Sequence, residues 1–283
     1  ARYTGLAPQT VSAVLDGLED AGLLRRGPAR RGGGRGQPAT PLYLNPEGAL
    51  ALGAEIGWTH LEVALADLVG EVLAYQRVEY AYPDGRSVFG LLADMLGSLT
   101  RPLDAVARKK IIGLGLASPA GLGETSSLLT APAGQIEAWR SLQAGHEAAR
   151  VTGYDVQTFN DGNAACFAEY TIMAPPRPGG FVFLLIDTFV AAGIISGDQL
   201  WQRMAGATTN LGSMLVSDRA GNRRIIDEIA SLSVLDGRLK AGGAALADVM
   251  QGEPPAPLQA IVEAWIEDAA LALAQAILNT GAV

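Results

Sequence analysis

Near the start of the chain, Val11, Val14, Leu15 and Leu18 recur at the i, i+3, i+4, i+7 spacing of a helix with one buried face. Ala7-Pro8 opens that helix, because proline in the first turn lacks only an N–H that would have no intrahelical partner. Gly22 ends it. Thr4-Gly5-Leu6 reads as the tight turn before the helix, and Leu23-Leu24 as the start of a strand after it. The order is that of a helix-turn-helix followed by a wing. On the polar face, Pro8, Gln9, Thr10 and Ser12 cluster at the helix N-terminus, where a recognition helix meets base edges and phosphates in the major groove. A small helical hairpin of another kind would share this short pattern, so the case for DNA needs a second feature.

Beyond Pro46 the periodicity becomes that of an α/β protein. Residues 51–57 and 61–67 read as a strand pair joined by a glycine turn, and 70–78 as a third strand. A helix is expected over 87–106, a buried strand over 111–117, a helix over 142–152 and a strand over 156–161 ending in polar residues. A helix over 163–173 follows, then an apolar hairpin from 181–186 and 192–196. Residues 225–239, 244–250 and 258–280 read as largely helical. Antiparallel strands followed by alternating helices and strands, given twice, predict two similar lobes around a cleft. The domain boundaries expected are 1–45 for the winged helix and linker, 46–160 for one lobe and 161–283 for the other.

Charge supplies the second feature. Residues 25–38 hold five arginines, five glycines and no acid. Across residues 1–40 six arginines face Asp16, Glu19 and Asp20, a net of +3, which leaves −11 for the remainder of a chain that carries −8. A basic head on an acidic body suits a module that meets nucleic acid while the body repels it. Arg30, Arg31 and Arg35, in the glycine run, are the candidates for phosphate or minor-groove contact together with Thr4. Asp16, Glu19 and Asp20 read as a solvated face.

Composition narrows the rest. The 283 residues, 49% hydrophobic, suffice for substantial cores. A single cysteine, Cys166, excludes an internal disulfide and a cysteine-rich zinc site. No apolar run reaches membrane-spanning length, so a cytoplasmic protein with no membrane contact is the expectation. The chain opens inside the hairpin and closes in a helix about to hand over to a strand, so further residues are expected at both ends. His60 and His146, the only histidines, read as ordinary packed or surface residues rather than metal ligands.

Several motifs carry a resemblance. Gly36-Gln-Pro38, Leu42-Tyr-Leu-Asn-Pro-Glu-Gly48, Leu52-Gly-Ala-Glu-Ile-Gly57, Ala117-Ser-Pro-Ala-Gly121, Trp139, Phe159-Asn-Asp-Gly-Asn-Ala-Ala165 and Gly206-Ala-Thr-Thr-Asn-Leu-Gly-Ser-Met214 are similar to those of the ROK family. That family comprises sugar-responsive repressors and sugar kinases with an actin/hexokinase-like, ribonuclease-H-like fold. The resemblance covers nearly the whole chain. It implies an N-terminal winged helix on a two-lobed α/β effector domain. A homodimer or dimer of dimers on DNA is expected, since one recognition helix reads only a few base pairs.

Departures from the family pattern bear on the chemistry. Where kinases of the family read Asp-x-Gly-Gly-Thr, this chain has Glu55-Ile-Gly-Trp-Thr59, with indole bulk in place of a phosphate-approaching glycine. Where they read Thr-Gly-Ile-Gly, it has Thr188-Phe-Val-Ala191. Kinase activity and an ATP cofactor are therefore not expected. Similar proteins carry a zinc set of Gly-His and Cys-x-Cys-Gly-x-x-Gly-Cys; here Ser213 replaces the histidine and the cysteines are gone, so no metal is expected.

The resemblance places a sugar in the cleft. Asn160 and Asp161 correspond to the family's sugar-contacting pair, with the aspartate the catalytic base in kinases. Ser118 and Gly121 would lie at the cleft wall, Asn210 and Ser213 stand where the family has a sugar-binding Glu and His, and Asp227 aligns with a further Glu. A strand-end carboxylate can accept two hydrogen bonds from a diol, although Asp161 could instead cap the following helix. Trp58, Trp139, Trp201 and Tyr82 could stack on a pyranose or serve in packing. The expected protein is a sugar-responsive DNA-binding repressor of carbohydrate genes without kinase activity. The alternatives are a sugar kinase with a DNA-binding head, or a ligand-independent regulator whose lobes serve for dimerisation.

Overall fold

The computed structural model describes residues 5–28, 40–124, 128–201 and 210–281. The chain divides into two compact units, residues 1–117 with 142–158, and residues 118–141 with 159–283. The second unit thus takes in residues 118–141 as well as the chain after Thr158, which a single cut at 160 does not anticipate.

In the first unit, α1 (Pro8–Asp20) starts at the proline, with Gly5 at φ +66° in the turn before it. β1 (Leu24–Arg26) and β2 (Leu42–Leu44) form an antiparallel ribbon pairing Leu24 with Leu44. Asn45 fastens the ribbon to the end of α1, its Nδ2 donating to Gly22 O at 2.7 Å. The face expected to be buried on α1 is not: Val14 is 51% and Leu18 37% exposed, and only Val11 and Leu15 of the four are half-buried. Among the described residues β1 packs against α1 and covers only a narrow strip of it.

β3 (Leu50–Ile56), β4 (His60–Asp67) and β5 (Val72–Glu79) form an antiparallel meander, extended by β6 (Ile111–Ser118) parallel to β3. Alternation explains the register. Leu50, Leu52, Ala54 and Ile56 are buried on one face of β3 while the residues between them are not. α2 (Val88–Thr100) lays Leu92, Met95, Leu96 and Leu99 into this core. The single helix expected over 87–106 is in fact two, because Pro102 cannot continue α2. α3 (Ala105–Lys109) restarts from Asp104, whose carboxylate accepts the N–H groups of Val106 and Ala107. The chain next contributes α4 (Gln135–Ser141) to the second unit, then returns as α5 (Ala144–Thr152) and β7 (Val156–Asn160), the strand beyond β6 in the sheet.

The second unit centres on an antiparallel sheet of β8 (Gly180–Ile186), β9 (Val190–Ser196) and β10 (Gln199–Leu200). α6 (Asp161–Ile172) covers it, packing Cys166 and Tyr170 against Ile195, Phe181 and Phe183. A hairpin of β11 (Leu215–Ser217) and β12 (Arg223–Ile225) leads to α7 (Asp227–Ala230), α8 (Leu232–Ala241) and α9 (Ala247–Met250). The helix expected over 225–239 is therefore a strand end and two helices. Ser231 breaks it by capping α8, its Oγ facing Val234 N. α10 (Ala256–Gly281) closes a second core by presenting Ala269, Ala272 and Ala276 to Val190, Val216, Ile226 and Ile229. Small residues at that spacing let the helix approach closely.

Candidate functional site

Three segments meet at the first residues of β9. The first is the junction of β7 and α6. Asn160 is the N-cap of α6, its Oδ1 facing the N–H of Asn163 at 3.4 Å, and its Nδ2 donates to Asp161 Oδ1 at 2.7 Å. Asp161 is the first residue of the helix and also accepts from Gly162 N at 2.7 Å. Its carboxylate sits at the positive end of the helix dipole, and the capping role belongs to Asn160. Gly162 then passes so close to β9 that a Cβ there would lie 2.5 Å from Ala192 N and 2.7 Å from Ala192 O.

The second and third segments are Asn210–Ser213 and the start of α7. Asp227 Oδ1 accepts the N–H of Val190, the first residue of β9, at 2.7 Å. Gly212 lies against the same carboxylate: a Cβ on it would meet Asp227 Oδ1 at 2.6 Å and Val190 O at 2.5 Å. Burial pushes the Asp227 pKa up, opposed by the Val190 hydrogen bond. Asn210 caps the short turn that holds Gly212, accepting from Ser213 N at 3.3 Å, and both Asn210 and Ser213 are exposed. The structure thus brings the Asn160-Asp161 helix entry, through Gly162, to Ala191 and Ala192 of β9, and Asp227 with the Asn210–Ser213 turn to Val190 at its start. Ser118 ends β6 and Gly121 forms the turn after it, in a separate segment of the same unit. Asn163, which no sequence pattern marked as a site residue, is buried, and its Oδ1 has no hydrogen-bond partner.

Both turns read from sequence as lost phosphate loops carry aromatic bulk. Trp58 is buried edge-on to Tyr82, ring centroids 6.1 Å apart, so these two serve in packing. Trp139 is buried within α4, and Trp201 is exposed. At the β8–β9 turn, the carbonyls of Asp187 and Thr188 accept from Leu232 N and Ser233 N, so the first N–H groups of α8 are already taken. The loop aligned with the family's cysteine-rich segment is closed by Asp218. Asp218 Oδ1 accepts from Ala220 N and Asn222 N at 2.9 and 2.8 Å, and with the Asn222 side chain these donors hold its pKa below the usual carboxylate value.

At the N-terminal end, Gln9, Thr10 and Ser12 are exposed on α1 and Pro8 occupies its first turn. Thr4, Arg30, Arg31 and Arg35 lie outside the described residues. Asp16 and Glu19 are not a merely solvated face: Arg26 donates to Glu19 at 2.8 Å and reaches Asp16 at 3.4 Å, tying the ribbon back to α1.

The ROK family model matches residues 51–278. The chain belongs to the ROK family. Curated relatives include an uncharacterised protein, y4fQ, of Sinorhizobium fredii, 31% identical over 180 residues, 60% of this chain and 43% of that one. The xylose repressor of Bacillus subtilis is 22% identical over 75% of this chain and 54% of its own, and the transcriptional repressor Mlc of Escherichia coli 22% over 89% and 63%. The chain thus spans between 43% and 63% of the length of these relatives. Among solved structures, a ROK transcriptional regulator homologous to E. coli Mlc matches with TM-score 0.63 at 20% identity, over 98% of this chain and 73% of that one. A ROK glucokinase from Streptomyces griseus matches with TM-score 0.54 at 21% identity, over 69% and 62%. The fold is the mixed α/β fold of ROK proteins, shared by regulators and kinases. No helix among the described residues is long and apolar enough to cross a membrane.

Proposed function

We propose that this chain is the DNA-reading and effector-binding part of a sugar-responsive repressor without kinase activity. The observation that carries the reading is the convergence of Asn160, Asp161 and Asp227, with the Asn210–Ser213 turn, on the start of β9. Carboxylates and amides so grouped offer the mixed acceptors and donors that a neutral polyol requires. Ser118 and Gly121 complete the proposed ligand set from the end of β6. Trp58 and Phe189, where family kinases have glycine, favour a regulator over a phosphoryl-transfer enzyme. The relatives named as xylose repressor and Mlc point the same way. DNA is read, in this proposal, by Gln9, Thr10 and Ser12 on α1, with Pro8 and Thr4 at its entry and Arg30, Arg31 and Arg35 on phosphates, from a homodimer that doubles a short recognition site.

The test is calorimetric titration of neutral aldoses, beginning with xylose and glucose, into the wild type and Asp161→Ala. A responsive sugar should bind the wild type and raise its melting temperature by mass action. Binding equal in the two proteins removes Asp161 from the pocket. ATP-dependent phosphorylation of any of these sugars by the purified protein overturns the regulator reading.

A further inference from the structure

Glu55 on β3 and Glu62 on β4 stand directly opposite each other in the antiparallel ladder. Like charges in that position repel and destabilise the pairing. His60, two residues before Glu62 and so on the same face, places Nε2 3.7 Å from Glu55 Oε1 and 3.9 Å from Glu62 Oε1. The ligand atoms of all three residues lie within 4.8 Å of one another. The imidazole is only 8% exposed, whereas the two carboxylates remain a quarter to a third exposed. Gly57 makes the ring's position possible, since a Cβ there would meet imidazole atoms at 2.6–2.9 Å.

Both separations are longer than a hydrogen bond. They match the spacing of two ligands on one ion: atoms about 2.0–2.2 Å from a shared metal, at tetrahedral or wider angles, stand roughly 3.3–3.9 Å apart. We propose that Glu55, His60 and Glu62 form a binding site for a divalent transition-metal ion of the zinc class. One imidazole nitrogen and two carboxylate oxygens are a borderline donor set that suits zinc better than magnesium. The ion cancels the repulsion between the paired glutamates. Arg77 donates to Glu62 Oε1, the same oxygen that faces His60, and lies 3.5 Å from Glu79; the metal takes this oxygen in place of the guanidinium, which then pairs with Glu79. A groove of about 170 Å³ bounded by Glu55, Glu62 and Tyr75 supplies the entry path and room for water on the open coordination positions. The site lies wholly in the first unit and is independent of sugar binding. The competitor is the proton, since the Glu55 carboxylate beside His60 raises the affinity of the ring for it.

The experiment is titration of zinc chloride alone into the full chain at neutral pH, with folding of every variant verified by circular dichroism. One zinc per chain is expected, with affinity falling as the solution is acidified and unaffected by excess magnesium. Glu55→Gln and Glu62→Gln, near-isosteric and partly exposed, should each weaken binding tenfold or more, while His146→Gln, which alters the second histidine, should leave it unchanged. No zinc binding, binding indifferent to both glutamate variants, or binding abolished in His146→Gln overturns the proposal. A site that takes up only a proton at His60 overturns it equally.

Discussion

Asn160 and Asp161 are neighbours with separable roles. Asn160 satisfies an orphan N–H at the start of α6, so Asn160→Ala should lower unfolding free energy by roughly 0.5–2 kcal/mol in a urea titration. Asp161→Ala leaves that cap in place. If its carboxylate holds a sugar hydroxyl, the loss is about 1.5–3 kcal/mol of binding, ten- to hundredfold or so in dissociation constant, read by calorimetry. A large fall in melting temperature for Asp161→Ala without ligand would return it to a structural role. Asp227 makes a different prediction. Burial raises its pKa in the folded state, so the folded protein holds the proton more tightly than the unfolded chain. Stability from this group is present at acid pH and declines as pH rises from the ordinary carboxylate value through the raised one. Asp227→Asn keeps an oxygen for the Val190 N–H and should abolish that decline; melting curves from pH 4 to 7, wild type against variant, measure it.

At the scale of elements, the contact between α6 and β9 orders the candidate site. The clash at Gly162 would be with Ala192 backbone atoms, which cannot swing aside. Gly162→Ala should therefore cost about 1–3 kcal/mol in denaturant unfolding and displace Asn160 and Asp161 from β9, weakening stability and, in the proposed function, sugar binding together. A stability equal to the wild type would mean that α6 does not depend on this approach. The alternation along β3 and β4, the proline start of α1 and the Asn-Asp helix entry were all legible from the sequence, because each is a local pattern of period 2 or 3.6 or a capping rule. The breaks at Pro102 and Ser231 were present as residue types but hidden by continuous apolar periodicity on both sides. The link from Arg26 to Glu19 was not legible, since the partners are seven residues apart on different elements.

For the whole molecule, the charge asymmetry of the chain predicts how it would meet DNA in the proposed function. If α1 reads base edges, Gln9→Ala should relax preference at one base pair, by roughly 1–3 kcal/mol. Replacing Arg30 and Arg31 should weaken all sequences alike and reduce the salt slope by about one for each phosphate no longer neutralised. Fluorescence anisotropy with the promoter region over a range of salt concentrations separates the two effects, and an affinity that ignores salt would exclude the basic run from the interface.

By itself, the sequence determined the α/β class, the basic head, the family resemblance and the identity of the polar residues that flank β9. Each of these follows from composition, periodicity or a contiguous motif. Tertiary structure decided what those residues touch. Asp227 lies 37 positions from Val190 and becomes its hydrogen-bond acceptor, Gly162 and Gly212 are read as close-approach points only once β9 runs beside them, and His60 becomes one of three candidate ligands only when strand register sets Glu55 opposite Glu62. The reason is physical: side-chain chemistry belongs to the residue, but distance, burial and the charge of a neighbour belong to the fold.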